Sequence, residues 1–277
     1  MTETITSTHN QRLRELRKLQ DRKHRDRTGL FAAEGEDMVH EALRHGARPE
    51  TVFFDAEALA PGDPPLAELG EGVELVAVDR DALASAAALG SGARVIGVWR
   101  QRWVDLSAAA ARTCVPSGGD GPALQAALYL HEVADPGNVG TIVRAALCFG
   151  AAAVVLSPRS ADPFGPKAVR AAMGSLFGQP LVRASFDEGR RALAPGGGTI
   201  ALVPGAGRAL HELRPQGPGL FALGAERRGL PEEIVAQCDE TAHIALAPGG
   251  VESLNVAMTA TLCLYEASLH RLSTTDA

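Results

Sequence analysis

The sequence predicts an α/β protein with two parts: a smaller N-terminal α/β unit and a larger C-terminal α/β block around a mainly parallel, doubly covered sheet. Three observations carry this. From residue 123 onward, apolar runs of four to six residues alternate with helical stretches, the pattern of strands joined by crossover helices. Residues 108–122 (AAAARTCVPSGGDGP) lose all periodicity and gather Gly, Pro and Ala, which is linker composition. Ahead of them lies a shorter alternation of strands and helices. The expected division is residues 1–108, a linker at 109–122, and 123–277.

In the N-terminal part, residues 11–27 hold eight Lys/Arg against three Asp/Glu, with Leu13, Leu16 and Leu19 at three-residue intervals. One apolar stripe docks and the cations fan outward. A solvated helix face explains such a run as well as RNA contact does; its contrast with the acidic whole favours contact. Strands are expected at Leu30–Glu34, Thr51–Phe54, Leu75–Val78 and Arg94–Arg100, with helices at Gly35–His45 and near Ala82–Leu89. In the C-terminal part the expected strands are Leu128–Val133, Ala152–Leu156, Thr199–Val203, Leu220–Leu223 and His243–Leu246. Helices are expected at Val139–Phe149, Pro166–Phe177, Phe186–Leu193, Pro231–Gln237 and Leu254–Leu272. Ligands of such sheets bind beyond the strands' carboxyl ends, so the loops there are where chemistry is sought.

Composition narrows the function classes. The 277 residues are 45% apolar and 22% charged, ordinary for a folded chain with a sizeable core. A net charge of 27 − 33 = −6 leaves no uniform positive field, so a nucleic-acid surface must be a local patch. Four widely spaced cysteines make neither a disulfide framework nor a metal knuckle, and point to the cytoplasm. The N-terminus lacks the apolar core of a signal peptide, and Val256–Tyr265 is far short of the ~20 apolar residues that span a bilayer, so no membrane association is expected. No metal is expected either, because the histidines never take a tight ligand spacing. Gly205-Ala206-Gly207 follows a strand but lacks the third glycine of a dinucleotide fingerprint, and neither a P-loop nor a GxSxG elbow occurs.

Three strand-to-loop segments remain. His131–Arg144 contains Asp135-Pro136-Gly137-Asn138 and then Arg144; an Asn-capped helix with a surface cation would explain it as a purely local structure. Phe221–Pro231 runs from a buried strand through Gly224-Ala225-Glu226-Arg227-Arg228-Gly229-Leu230. Ile244–Met258 contains a Gly-Pro loop followed by Glu252-Ser253-Leu254-Asn255-Val256, with Ser253 readable as a plain cap. Leu254, Met258, Leu262, Tyr265 and Leu269 share one helix face, a stripe that suits core or a subunit interface.

In order and separation these loops resemble the SpoU/TrmH family of RNA ribose 2′-O-methyltransferases, within the SPOUT group of trefoil-knotted enzymes. Asp162-Pro163, Lys167, Arg170 and Gly174-Ser175-Leu176 match the intervening segment, so the resemblance covers about residues 123–272. Ser7, Asn10, Leu19, the basic run, Phe31 and Glu34-Gly35 resemble the substrate-binding domain that precedes the catalytic domain in many members.

The resemblance implies a knotted C-terminal chain that holds S-adenosylmethionine around Gly224, Ile244, Leu246 and Leu254. It implies a homodimer through the C-terminal domain, with the active site completed across the interface. It assigns catalysis to Arg144, with Asn138, Glu226, Ser253 and Asn255 aligning ribose, arginine and donor. A guanidinium is a poor base, so phosphate binding and charge stabilisation suit Arg144 better than proton abstraction. RNA contact falls to Arg12, Arg14, Lys18, Arg22, Lys23 and Arg25 as a patch. The expected reaction is S-adenosylmethionine-dependent methylation of a ribose 2′-OH, with ribosomal RNA the favoured substrate. Transfer RNA is the alternative, as is a non-catalytic RNA-binding or ribosome-assembly protein on the same shell. The third loop departs from the family: Ala245 replaces the usual proline, and the stretch to Ser253 is one residue longer.

Overall fold

The computed structural model describes residues 4–88, 90, 92–113, 126–213, 219–247, 249–250 and 253–273, with side chains through Leu269. These form two compact units. The first takes the chain up to Arg102 together with Asp162–Gly178; the second takes Trp103–Ala161 and the residues from Gln179 onward.

The first unit opens with two helices, α1 (Gln11–Lys18) and α2 (Arg22–Thr28), where the sequence reads as one basic run. Asp21 makes the break: its carboxylate accepts the Lys23 amide and caps a new helix. There follow β1 (Leu30–Glu34), α3 (Glu36–Arg44), β2 (Thr51–Asp55), β3 (Glu74–Val78), α4 (Arg80–Ala84) and β4 (Val95–Arg100). The sheet order is β1-β4-β2-β3, with only β2 and β3 parallel. Period-two alternation gives each sheet face its own core. Leu13, Leu16 and Leu19 pack with Val76, Ile96 and Val98 on one face. Phe31 stacks with Trp99, Phe164 and Phe177 on the other, at centroid distances of 5.0–6.1 Å.

Phe164 and Phe177 come from the inserted segment, which carries α7 (Pro166–Ala172). A helix running unbroken to Phe177 does not form. Met173 and Gly174 take left-handed backbone (φ 47° and 82°), and a short 3-10 turn follows at Ser175–Phe177.

In the second unit, α5 (Leu106–Thr113) precedes β5 (Ala127–Leu130), α6 (Pro136–Phe149), β6 (Val154–Leu156), β7 (Leu181–Arg183), α8 (Phe186–Leu193) and β8 (Thr199–Leu202). Next come β9 (Arg208–Ala209), β10 (Leu220–Leu223), α9 (Glu232–Val235), β11 (Glu240–His243) and α10 (Val256–Ser273). The seven strands run parallel in the order β7-β6-β5-β10-β8-β11-β9. All four residues of β5 and of β10 are buried, as a sheet covered on both faces requires.

Residues 109–113 of the expected linker lie in α5, where Ala109 is fully buried in the core of this unit; the rest of that stretch lies outside the described residues. The sheet also places β11 at Glu240–His243, three residues before the expected His243–Leu246. Gly205 and Gly207 form the left-handed turn into β9, a local explanation for that glycine pair.

Candidate active site

β8, β10 and β11 end side by side, and the loops that leave them surround a pocket of about 600 Å³. That is the carboxyl edge of the sheet, near the point where strand order jumps from β5 across β10 to β8. Gly224, Ile244, Leu246 and Leu254 all line the pocket, with Val203–Gly205 from the end of β8. Among the described residues no group of three or more His, Cys, Asp or Glu could hold a metal ion, and no helix is long and apolar enough to cross a membrane.

The loop after β10 turns sharply. The Gly229 amide donates to the Ala225 carbonyl at 2.8 Å, and a methyl group on Gly224 would overlap the Gly229–Leu230 backbone. Only glycine permits this return, which throws Glu226, Arg227 and Arg228 to the tip. Glu226 turns back toward the loop after β5. Its carboxylate accepts the Asn138 side-chain amide at 2.9 Å and the Ala134 and Asp135 backbone amides at 3.3 and 3.4 Å. Burial raises the pKa of Glu226, but these hydrogen bonds outweigh it and hold the carboxyl below its ordinary range.

Asn138 is not the cap of α6. Asp135 is: its side chain accepts the Asn138 amide at 2.9 Å, and Pro136 opens the helix. The Asn138 side chain is thereby free to bridge two loops, giving its N–H to Glu226 and accepting the Asn255 amide at 3.0 Å. Asn255 in turn caps α10 by accepting the Ala257 amide at 2.8 Å. One chain of hydrogen bonds, Asn255 to Asn138 to Glu226, thus ties together the three sequence-predicted loops.

Ser253 is exposed on the pocket wall and makes no hydrogen bond with a described residue. Arg144 lies farther along α6 on its exposed side and forms no ion pair with a described residue; it is not among the pocket's walls. Sequence reasoning passed over Arg227, Arg228, His243 and the turn at Val203–Gly205, all lining the pocket. Their position beyond a strand's carboxyl end was the available signal.

The expected RNA patch fares unevenly. Arg25 is 4% exposed and fully engaged, with Asp162 and with the Leu19 and Gln20 carbonyls, so it has no edge for a phosphate. Arg12 pairs with Glu74, Lys18 with Glu15 and Arg22 with Asp26, all at the surface, while Arg14 and Lys23 have no ion pair with a described residue. Glu252 and part of the longer third loop lie outside the described residues.

Residues 125–265 match the SpoU rRNA Methylase family. The chain belongs to that family. Residues 10–97 match the MRM3-like substrate binding domain, the companion of the SpoU domain in this chain. The 23S rRNA (guanosine(2553)-2'-O)-methyltransferase RlmP of Bacillus subtilis is 29% identical over 263 residues, 94% of this chain and 97% of the relative. Among solved structures, the AdoMet-bound rRNA methyltransferase from Sinorhizobium meliloti superposes with a TM-score of 0.82 at 30% identity, covering 97% of this chain and 98% of that one. The SpoU methyltransferase AviRb from Streptomyces viridochromogenes, in complex with AdoMet, gives 0.81 at 28% identity, covering 96% and 99%.

Proposed function

We propose that this chain transfers a methyl group from S-adenosylmethionine to the ribose 2′-OH of a nucleotide in ribosomal RNA. The observation that carries the reading is the Asn255–Asn138–Glu226 hydrogen-bond chain beside the pocket, on residues that carry the SpoU resemblance. A relative matched over 97% of its length is named a 23S rRNA 2'-O-methyltransferase, which favours ribosomal over transfer RNA.

The pocket fits the donor's chemistry. Its volume of about 600 Å³ lies within the ~300–1,000 Å³ usual for small-molecule sites. Ile244, Leu246 and Leu254 offer apolar wall to a base, and the strand ends offer backbone groups to its polar edge. S-adenosylmethionine supplies an electrophilic methyl on a sulfonium when bound.

Everything else falls to the chain. Asn138 and Asn255 hold three loops in one register, which positions a poorly nucleophilic hydroxyl in line with the donor. Glu226 orders the loop after β5 and places negative charge beside the site. Ser253 stands at the pocket wall to orient the ribose. Arg144 offers N–H donors and a positive charge and is a poor base. We assign it to the phosphate next to the target ribose, where it stabilises the charge that develops as the hydroxyl proton leaves.

A homodimer completes this scheme. Met258, Leu262, Tyr265 and Leu269 form an exposed apolar stripe on α10, while Ala257, Ala260, Cys263 and Leu264 bury its opposite side. A helix apolar all round asks for a second cover. α10 packs on α6, the helix bearing Arg144, and Tyr265 touches Phe149. A second copy docked there would receive Arg144 beside its own pocket. We further read the C-terminal chain as a trefoil knot, residues 1–108 as the RNA-reading part and 123–277 as the methyltransferase, in a cytoplasmic enzyme whose sparse cysteines suit a reducing compartment.

The test is transfer of tritium from labelled S-adenosylmethionine to ribosomal RNA, followed by mapping of 2′-O-methyl sites. A single ribose methylated only with the protein present is expected. Cofactor binding without methyl transfer to any RNA would favour a non-catalytic RNA-binding role.

A further inference from the structure

The carboxylate and guanidinium groups that line the 600 Å³ pocket among the described residues are those of Glu226, Arg227 and Arg228, all from the tip of the turn after β10. That tip is pinned at its base. Ala225 and Gly229 pair as an antiparallel bridge, with the Gly229 amide on the Ala225 carbonyl at 2.8 Å. Glu226 is drawn toward the loop after β5 by the Asn138 side chain at 2.9 Å. Arg227 and Arg228 are exposed and form no ion pair or hydrogen bond with a described residue. Two uncompensated guanidinium groups therefore stand on a fixed tip beside the pocket, against one carboxylate that is already engaged.

This charge is wrong for the methyl donor alone. S-adenosylmethionine carries a sulfonium, an ammonium and a carboxylate, so it is a net cation. Once the methyl has gone, the sulfur is neutral and so is the whole molecule. Like charges across a binding site oppose association, so unpaired arginines here favour spent product over donor. A third ligand that brings anions removes the conflict, and an RNA backbone is a dense row of them.

We propose that Arg227 and Arg228 couple the two substrates: RNA phosphates seat on them when the target is in place, the wall is neutralised, and the donor then binds more tightly. By linkage the donor raises RNA affinity by the same factor. The proposal rests on the reading of this chain as an RNA methyltransferase that uses this pocket. In transfer the oxygen–methyl bond forms as the sulfur–methyl bond breaks, the bonding pair stays on sulfur, and the hydroxyl proton leaves to solvent. The cation that RNA helped to hold is then gone, so the coupling lapses after each turnover.

The test is equilibrium dialysis of the full chain with two ligands that cannot donate a methyl, with and without an unmodified ribosomal RNA transcript. Sinefungin carries an ammonium where the donor has its sulfonium; S-adenosylhomocysteine is neutral there. RNA should tighten sinefungin at least about fivefold and S-adenosylhomocysteine less than about twofold. The difference should shrink as salt is raised, because the arginines are exposed. In Arg227→Gln/Arg228→Gln, sinefungin should gain on S-adenosylhomocysteine without RNA, and RNA should add less than about twofold to either. Arg227→Glu/Arg228→Glu should push the RNA-free preference further toward sinefungin. Wild-type coupling in the Gln variant overturns the proposal, as does equal tightening of both ligands by RNA in the wild-type chain. Equal loss of both ligands in the variants, with the RNA effect unchanged, assigns the arginines to the shared carboxylate and also overturns it. A wild-type chain that binds neither ligand overturns the methyltransferase reading itself. One that binds both ligands but no RNA overturns the RNA reading, and the coupling with it.

Discussion

Arg25 and Asp162, 137 residues apart in sequence, meet as a buried ion pair in which two nitrogens of the guanidinium, Nε and Nη2, donate to one carboxylate oxygen at 2.9 and 2.7 Å. The other carboxylate oxygen accepts the Phe164 amide at 3.0 Å, and the remaining guanidinium nitrogen serves the Leu19 and Gln20 carbonyls. This arrangement anchors the segment Asp162–Gly178 to the first unit, although the segment falls within the stretch that matches the SpoU family.

Removing either partner alone should therefore be costly. Arg25→Ala or Asp162→Ala leaves an uncompensated buried charge, and about 3–5 kcal/mol of stability should be lost. Arg25→Met/Asp162→Leu, which removes both charges and keeps volume, should lose much less. Urea unfolding of the three variants checks this; equal losses in single and double variants would show that the pair itself is not what holds the segment.

Gly224→Ala should weaken cofactor binding while leaving most of the fold intact. The added methyl would strike the backbone of Gly229 and Leu230, so the turn carrying Glu226 must open. Calorimetry with S-adenosylmethionine should show affinity at least about tenfold weaker. Unchanged affinity would mean that the turn tolerates opening.

Much of this is legible in the sequence. Strands β1 to β4, β5, β8 and β10 announce themselves as bounded apolar runs, and the loop residues that meet at Glu226 were identified as three separate segments. What was misread has physical causes. β7 has three residues and β9 two, too short to show a period. The run Ile244–Leu246 looks like a strand because it is apolar, yet Leu246 is 38% exposed and both residues line the pocket. Its hydrophobicity faces the pocket and not the sheet. Arg25 looked like one more cation in a basic run, because nothing local reveals a carboxylate 137 residues away. Asn138 looked like a cap because Asp135, three residues earlier, is an equally good one.

The pH dependence of Glu226 has a definite sign. Its folded pKa lies below the ordinary 4.5, so the ionised network is fully present above that value and is lost only as pH falls through the lower folded one. Glu226 should therefore contribute no titration to the rate between about pH 5 and 8. Glu226→Gln, which keeps the shape but not the charge, should lower kcat by about 10- to 100-fold at every pH in that window, with cofactor affinity within about threefold. A pH-rate profile whose acid limb disappears in Glu226→Gln would contradict this assignment.

The exposed α10 stripe predicts a concentration-dependent dimer. Leu262→Glu/Tyr265→Glu places two carboxylates on the apolar face and should give a monomer by sedimentation equilibrium, with near-native circular dichroism because both side chains already face outward. A variant that remains dimeric moves the interface elsewhere.

Arg144 supplies the sharpest test, because it sits on the exposed side of α6, outside the walls of the pocket. Arg144→Ala should lose methyl transfer by at least about a thousandfold while binding S-adenosylmethionine normally, since the proposed role confines it to the charge that develops during transfer. If each arginine serves the pocket of the partner subunit, two inactive chains should rescue one another. Mixing Arg144→Ala with Gly224→Ala and allowing exchange gives mixed dimers in which one subunit keeps an intact pocket and the other an intact arginine. Half the dimers would carry one complete site of two, so about a quarter of wild-type activity should return. An arginine acting on its own subunit's pocket gives no recovery at any mixing ratio, because neither chain then holds both halves of a site.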